Sequence, residues 1–329
     1  MGTRYLGGYI TATEQTPSSS SATGVWDLRT HSKELVAEAW QNVATAPRAL
    51  YAGGRSPTSN SISYISIVST ENSQDFGDLQ EATYHQSGCS SSTRGIFSTG
   101  ATDSSRIEYV TFVTLGNSTD FGNTSFGGSG SGGGSCSSKT RGVIAKGGAN
   151  NINYITIAST GNASDFGDRT VSFYYFAGCG SPTRGLFGGG EDTTPTRQNV
   201  IDYITIASTG NATDFGDLTV TRSELGACSS DTRGVWGGGR QSSSGLNTID
   251  YITISSTGNA SDFGDLTRSS YGLAATGSNI RGVFGTGNDV GKVLDYITIA
   301  STGNATDYGD DSFGFRDQAA CSSVHGGLQ

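Results

Sequence analysis

R-G-L-F-G-G-G (Arg184 to Gly190), followed by I-D-Y-I-T-I-A-S-T-G-N-A-T-D-F-G-D-L (Ile201 to Leu218), decides the fold, because the chain repeats both phrases six times. The second phrase recurs around Tyr64, Tyr109, Tyr154, Tyr203, Tyr251 and Tyr296; the first begins at Arg48, Arg94, Arg141, Arg184, Arg233 and Arg281. The 232 residues from Tyr64 to Tyr296 make five steps of about 46, a period that marks propellers and other repeat arrays. Each unit reads as four short strands: the Arg-Gly-apolar-aromatic phrase, the β-branched run I-D-Y-I-T-I, the D-F-G-D-L phrase, and a small-residue stretch ending near A-C-S-S. In the second strand Ile201, Tyr203 and Thr205 face one way and Asp202, Ile204 and Ile206 the other. Neither set is purely polar, which suits a sheet covered on both faces by neighbouring sheets.

Radial stacking of six such sheets is an all-β, six-bladed β-propeller. The last small-residue stretch, Ala319 to Ser323, follows the sixth unit and has no Arg-Gly strand left to pair with except the one at Arg48. The C-terminal strand is therefore expected to complete the first blade. Cys89, Cys136, Cys179, Cys228 and Cys321 share this phase, five residues before the Arg where one follows, and Thr276 takes the same place before Arg281. Small side chains belong on strands that crowd a central axis, and thiols in different blades are expected to lie too far apart to bridge.

Composition agrees. The chain has 329 residues with 50 Gly, only 33% hydrophobic and 15% charged residues, so its core must come from many short strands and turns. With 14 Tyr and 14 Phe it is too aromatic for a disordered chain. A net charge of −9 without a basic cluster argues against nucleic acid and anionic membrane surfaces as partners. No apolar run approaches the ~20 residues of a membrane span, and the first residues, MGTRYLGGYITATEQT, lack the apolar core of a signal peptide. Five cysteines without a CxxC pair read as reduced, buried thiols rather than a disulfide or zinc framework.

Residues 1–46 do not repeat and read as an anchoring segment ahead of a propeller at 47–329. GGYITAT suggests a short strand, TPSSSSATG a polar joint, and Ser32 to Trp40 a short helix. Leu35, Val36, Ala39 and Trp40 are the helix's apolar positions; together with Trp26 and Leu28 ahead of it, Leu35, Val36 and Trp40 are the docking candidates, expected to bury against the propeller or against another subunit.

Five D-F-G triplets and one D-Y-G lack the H-R-D and strand Lys that a kinase needs. Asp75, Asp120, Asp165, Asp214, Asp262 and Asp307 are expected instead to form turns, with the adjacent Phe76, Phe121, Phe166, Phe215, Phe263 or Tyr308 filling the space between blades. Asn117, Asn162, Asn211, Asn259 and Asn304 have the N-x-S/T form but read as turn residues. The pairs Asp165/Asp168, Asp214/Asp217 and Asp262/Asp265 make calcium conceivable, though such turns need no ion. His31, His85 and His325 occupy unrelated positions, so no catalytic or metal site is assigned and no cofactor is expected. The Gly-Ser run Gly127 to Ser135 sits where other units place a connection between strands, and reads as an internal loop of the second blade.

Antiparallel strands put the S-T-G-N turn and the turn before Arg-Gly on one face of the ring. The opposite face collects the divergent segments Glu191 to Gln198, Arg240 to Leu246, Gly287 to Gly291, Glu81 to Ser87 and Thr219 to Gly226. Variable loops on a rigid scaffold are natural recognition elements. Tyr84, Arg197, Arg240, Tyr271 and Asn288 are the candidate contacts.

The R-G-L-F-G-G-G and I-D-Y-I-T-I phrases resemble a kelch repeat, with Phe or Tyr where kelch has Trp. The S-T-G-N-A-T-D-F-G-D-L wording is similar to repeats in structural proteins of tailed bacteriophages, cyanophages among them. S-A-T-G-V-W-D-L-R-T-H-S-K-E-L-V-A-E-A-W, Ser21 to Trp40, resembles the segment such proteins carry ahead of repeat or fibre domains. The resemblance implies a virion structural protein of the tail fibre, the baseplate or another particle surface, assembled in the host cytoplasm. Residues 1–46 would dock to other virion proteins, and the propeller would serve host adhesion, through a surface glycan or protein, or particle decoration. By analogy with fibres it implies a trimer. Two other readings stay open: a soluble cellular protein-interaction module, and a carbohydrate-active enzyme on the same scaffold.

Overall fold

A computed structural model describes residues 47–98, 100–101, 105–126, 132–285, 287–288 and 292–328. The chain divides into two units, Met1–Ala46 and Pro47–Gln329, and every described residue belongs to the second. Trp26, Leu28, Leu35, Val36 and Trp40 therefore lie outside the described residues.

The described residues form six separate four-stranded antiparallel sheets, the blades of a six-bladed β-propeller, with no α-helix among them. From the axis outward, blade 1 joins Ala319–Ser322, Arg48–Ala52, Ser59–Ser66 and Gln74–Thr83; blade 2 joins Ser87–Ser90, Arg94–Ser98, Arg106–Thr111 and Thr119–Asn123. Blade 3 joins Gly134–Ser137, Arg141–Ala145, Ala149–Thr156 and Ser164–Phe173; blade 4 joins Ala177–Gly180, Arg184–Gly188, Val200–Thr205 and Thr213–Asp217. Blade 5 joins Gly226–Ser229, Arg233–Gly237, Leu246–Thr253 and Ser261–Ser270; blade 6 joins Ala274–Gly277, Arg281–Gly285, Val293–Thr298 and Thr306–Asp310. The expected closure is present: Leu50 pairs with Cys321, and the Ser323 amide donates to the Arg48 carbonyl at 3.0 Å. Of the Gly-Ser run, residues 127–131 are not described. Gly134 and Ser135 belong to the innermost strand of blade 3, not to a loop of blade 2.

Three repeated devices join each blade to the next. The guanidinium of the R-G strand lies over the Tyr of its own blade, as in Arg184 over Tyr203 at 4.8 Å. Its Nη1 donates across the interface, from Arg184 to the Ile254 carbonyl at 2.7 Å and, at the seam, from Arg281 to the Ile67 carbonyl at 2.9 Å. The Tyr in turn meets the D-F-G aromatic edge-on, with ring centroids of Tyr203 and Phe215 5.8 Å apart. Those aromatics fill the inter-blade core as expected; Phe76, for example, packs with Val110 and Phe112 of blade 2.

The second device corrects the turn assigned to D-F-G. These residues begin the outermost strand, and the Gly takes a φ of +142 to +151 at a bulge in the ladder. A glycine is required there because the S-T-G-N turn of the next blade lies against it: a Cβ on Gly167 would sit 2.5 Å from the Gly210 carbonyl oxygen. Across this contact the Gly210 amide donates to the Phe166 carbonyl at 2.8 Å, and the Asn211 side chain accepts from the Asp168 amide at 3.0 Å. Asn117, Asn162, Asn259 and Asn304 repeat the latter bond, and Asn72 makes it to Asp310 at the seam. The Asn residues are thus inter-blade clasps as well as turn formers.

The third device is polar and buried. Asp202, whose side chain is wholly buried, accepts from Arg169 Nε of blade 3 at 3.0 Å, and Asp250 accepts from Arg222 Nη2 of blade 4 at 2.8 Å. In the other blades this strand position holds Glu108, Asn153, Asp295 and Ser63, each bonded to a residue of the preceding blade.

Near the axis, the cysteines point away from the channel into the next interface. All five are free and buried. Each Sγ lies over the R-G glycine of the following blade, Cys89 on Gly142, Cys136 on Gly185, Cys179 on Gly234, Cys228 on Gly282 and Cys321 on Gly95. Burial pushes the Cys89 and Cys179 thiols up to about 12, so they stay protonated. At the sixth interface both partners change together: Thr276 stands for the Cys and Ala49 for the Gly.

Candidate functional site

The two faces of the ring differ as the loop sequences suggest. One face carries the near-identical turns; the other surrounds the mouth of the axial channel. Four residues before each Cys or Thr of the innermost strands stand His85, Gly132, Tyr175, Glu224, Gly272 and Asp317, one for each blade. All six are left-handed, with φ between +56 and +71. Their backbones run head to tail around the mouth. The His85 amide donates to Asp317, Asp317 to Gly272, Gly272 to Glu224, Glu224 to Tyr175 and Tyr175 to Gly132, at 2.7–2.9 Å.

Glycine suits this conformation, whereas a side chain there costs on the order of 1 kcal/mol or more. The ring nonetheless holds His, Tyr, Glu and Asp at four of its six positions, and each of the four lines the mouth. The depression they border has a volume of ≈ 110 Å³. The His85 ring meets the Tyr175 ring edge-on at 4.9 Å, and its Nε2 is 3.2 Å from Asp317 Oδ2.

A second circle of side chains supports the first. Arg240 pairs with Glu224 at 2.6 Å and Arg197 with Glu191 at 3.3 Å. Arg55 and Arg316 both approach Asp317, at 3.8 and 3.7 Å. Arg55 lies over the Tyr84 ring and Arg240 over the Tyr271 ring, at 5.3 and 5.2 Å. Asn288 bonds both the Tyr271 hydroxyl and Arg316. Burial raises the Glu224 carboxyl above its ordinary range, with Arg240 opposing and Asp317 adding to the shift. Burial also raises the Tyr175 phenol, reinforced by the charges of Glu224, Glu191 and Asp317.

All five loop residues singled out in the sequence, Tyr84, Arg197, Arg240, Tyr271 and Asn288, therefore fall in this second circle. Tyr84 and Tyr271 follow directly on the outer strands of blades 1 and 5, as Tyr174 does in blade 3. These three strands have 10 residues each, against 5 in the alternate blades. The inner four were missed, because their residue types share nothing. The signal that could have found them is position: a site four residues before the Cys phase holding Gly twice marks a left-handed backbone.

The opposite end of the channel is stopped by the chain itself. A 3-10 turn, Gly326–Leu328, contacts the inner strands of blades 3, 4 and 5. His325 donates through Nε2 to the Ser90 carbonyl at 3.1 Å and accepts the Gly327 amide on Nδ1 at 3.0 Å. Burial lowers its imidazole to about 4, so the plug is neutral at ordinary pH.

Among the described residues no group of three or more His, Cys, Asp or Glu could hold a metal ion, and no helix is long and apolar enough to cross a membrane. No protein-family model matches the sequence, and no curated protein matches it. What fold and site define is a six-bladed β-propeller with a strained, aromatic and charged mouth at one end and a plugged channel at the other.

Proposed function

We propose that the chain is a structural protein of a tailed-phage particle. Residues 1–46 dock it to other virion proteins, and the propeller displays its mouth face outward for host adhesion or particle decoration. One observation carries this reading: chain entry and variable loops lie at opposite faces. Pro47 leads into Arg48–Ala52 from the face of near-identical turns, where its carbonyl accepts the Ile67 amide at 3.1 Å. The exposed apolar side chains Val68, Val113, Leu115 and Ile280 occupy turns of this same face in the successive blades 6, 1 and 2, which suits seating against another particle protein.

The test is mass spectrometry of purified particles, with and without residues 1–46. Full-length protein is expected in the particle, and the shortened chain is expected to fold but stay out; absence of the full-length protein refutes the reading. A second reading, a carbohydrate-active enzyme, is favoured by Glu224, a carboxyl raised by burial beside Asp317 in a cavity, which is the environment of a general acid. Hydrolysis of chromogenic glycosides that Glu224→Gln abolishes would support the enzyme.

A further inference from the structure

We infer that the mouth binds a single neutral sugar residue, the terminal unit of a surface glycan. The inference rests on the recognition role above and names its ligand class. The first argument is charge. Arg240 is engaged by Glu224, Arg197 by Glu191, and Arg55 and Arg316 by Asp317. The four guanidiniums at the rim face three carboxylates, Arg55 and Arg316 sharing Asp317, so an entering cation meets four like charges and an entering anion must compete with Glu191, Glu224 and Asp317. A neutral polyol does neither. Its hydroxyls donate to carboxylate oxygens that have spare lone pairs and accept from guanidinium N–H groups.

The second argument is shape. Tyr175 is half-buried and lines the mouth, its ring T-shaped to that of His85 at 4.9 Å, an aromatic group of the kind against which the C–H face of a pyranose packs. The ≈ 110 Å³ volume is small beside the ~300–1,000 Å³ of pockets that enclose drug-sized ligands, so it takes one ring and not an extended oligosaccharide. The third argument is the backbone. Gly132 and Gly272 show that the ring closes with glycine, yet Tyr175, Glu224, His85 and Asp317 are held left-handed with their side chains at the opening. Strain kept at one site on an otherwise regular scaffold is the mark of a preorganised contact.

The experiment is saturation-transfer NMR on the full chain with galactose, glucose, mannose and N-acetylglucosamine at about 20 mM, a concentration that detects millimolar binding. Glucuronic acid and N-acetylneuraminic acid, whose C–H protons report in the same experiment, serve as the anionic comparison. At least one neutral sugar is expected to give transfer. Tyr175→Gly is expected to reduce it at least fivefold without lowering the melting temperature, since glycine fits the backbone there. Glu224→Gln, which keeps the side chain's shape, is expected to reduce it also and covers the case in which Tyr175→Gly fails to fold. Silence from all four neutral sugars, transfer that survives both variants, or binding of the anions alone overturns the inference. Particle mass spectrometry is independent of this result: a protein found in the particle but blind to sugars keeps its virion role and loses only the saccharide.

Discussion

Gly142→Ala tests how the blades are spaced. The residue has an ordinary strand backbone, so alanine is conformationally allowed and, through the unfolded chain, should stabilise by about 0.4–1 kcal/mol. Its new Cβ, however, would lie 2.8 Å from Cys89 Sγ and 3.1 Å from Ile155 Cγ1, where the shortest ordinary contact is 3.4 Å. The interface must open by at least 0.6 Å at the sulfur. Overpacking of this kind costs about 1–3 kcal/mol, which leaves a net loss of about 1–2 kcal/mol. Cys89→Ala alone removes the sulfur, leaves a void and costs about 1–2 kcal/mol. In the double variant the methyl enters the space the sulfur vacates, and the loss should fall below about 1 kcal/mol. Urea unfolding followed by far-UV circular dichroism on the four proteins gives the coupling energy. If the two losses add within about 0.5 kcal/mol, the sulfur is not what sets the spacing and the argument fails. The series also predicts a rank. Alanine should cost most at Gly185 and Gly282, less at Gly142 (2.8 Å) and Gly95 (2.9 Å), and least at Gly234 (3.3 Å). At the natural Thr276/Ala49 junction the glycine is likewise an alanine and the sulfur is absent.

Other expectations follow from single contacts. Asp250→Asn leaves the Arg222 guanidinium, wholly buried, without its counter-charge and should cost about 3–5 kcal/mol in the same assay; a loss under about 1 kcal/mol would mean water reaches the pair. Asn211→Ala removes the clasp on the Asp168 amide and should cost about 1 kcal/mol, no more, because the bond is exposed. His325 has an imidazole lowered from 6.5 to about 4, so between these values the unfolded chain binds a proton that the native chain does not. Its contribution is complete above pH 6.5 and shrinks as the pH falls towards 4, by up to about 3 kcal/mol. His325→Gln should flatten the pH dependence of stability in that window, and an unchanged slope would exclude the plug as its source.

The sequence carried the architecture further than the site, and particular residues explain the difference. Blade number and closure were legible because packing between identical units tolerates few residue types. The Cys321 phase alone predicts the pairing with Leu50, and the two-sided burial of Ile201 and Asp202 follows from their alternation. D-F-G misled because its Gly looks like a turn residue. Only the neighbouring blade, pressing Gly210 against Gly167, reveals a bulge at the head of a strand. The same blindness hid the task of Asn211, since hydrogen bonds between units leave no local pattern. Of the site, the outer circle was legible as loop divergence, through Tyr84, Arg197, Arg240, Tyr271 and Asn288. The inner circle depends on backbone angles, which residue type does not fix for His85, Tyr175, Glu224 or Asp317. His325 was invisible for another reason: a plug is used once and has no repeat to announce it.

The seam that joins Ala319–Ser322 to Arg48–Ala52 has a consequence for biosynthesis. Blades 2 to 6 draw all their strands from neighbouring stretches and can form as they leave the ribosome, whereas blade 1 waits with its inner edge unsatisfied. Until translation passes Ser323, the nascent protein is a horseshoe with two sticky ends. A messenger cut before the codons of Ala319–Ser322 then yields no slightly damaged ring but an open one, ready to join another like itself. Closure of the ring is thereby coupled to synthesis of its final strand, so that whatever recognises the closed ring also selects chains that have been read through Ser322.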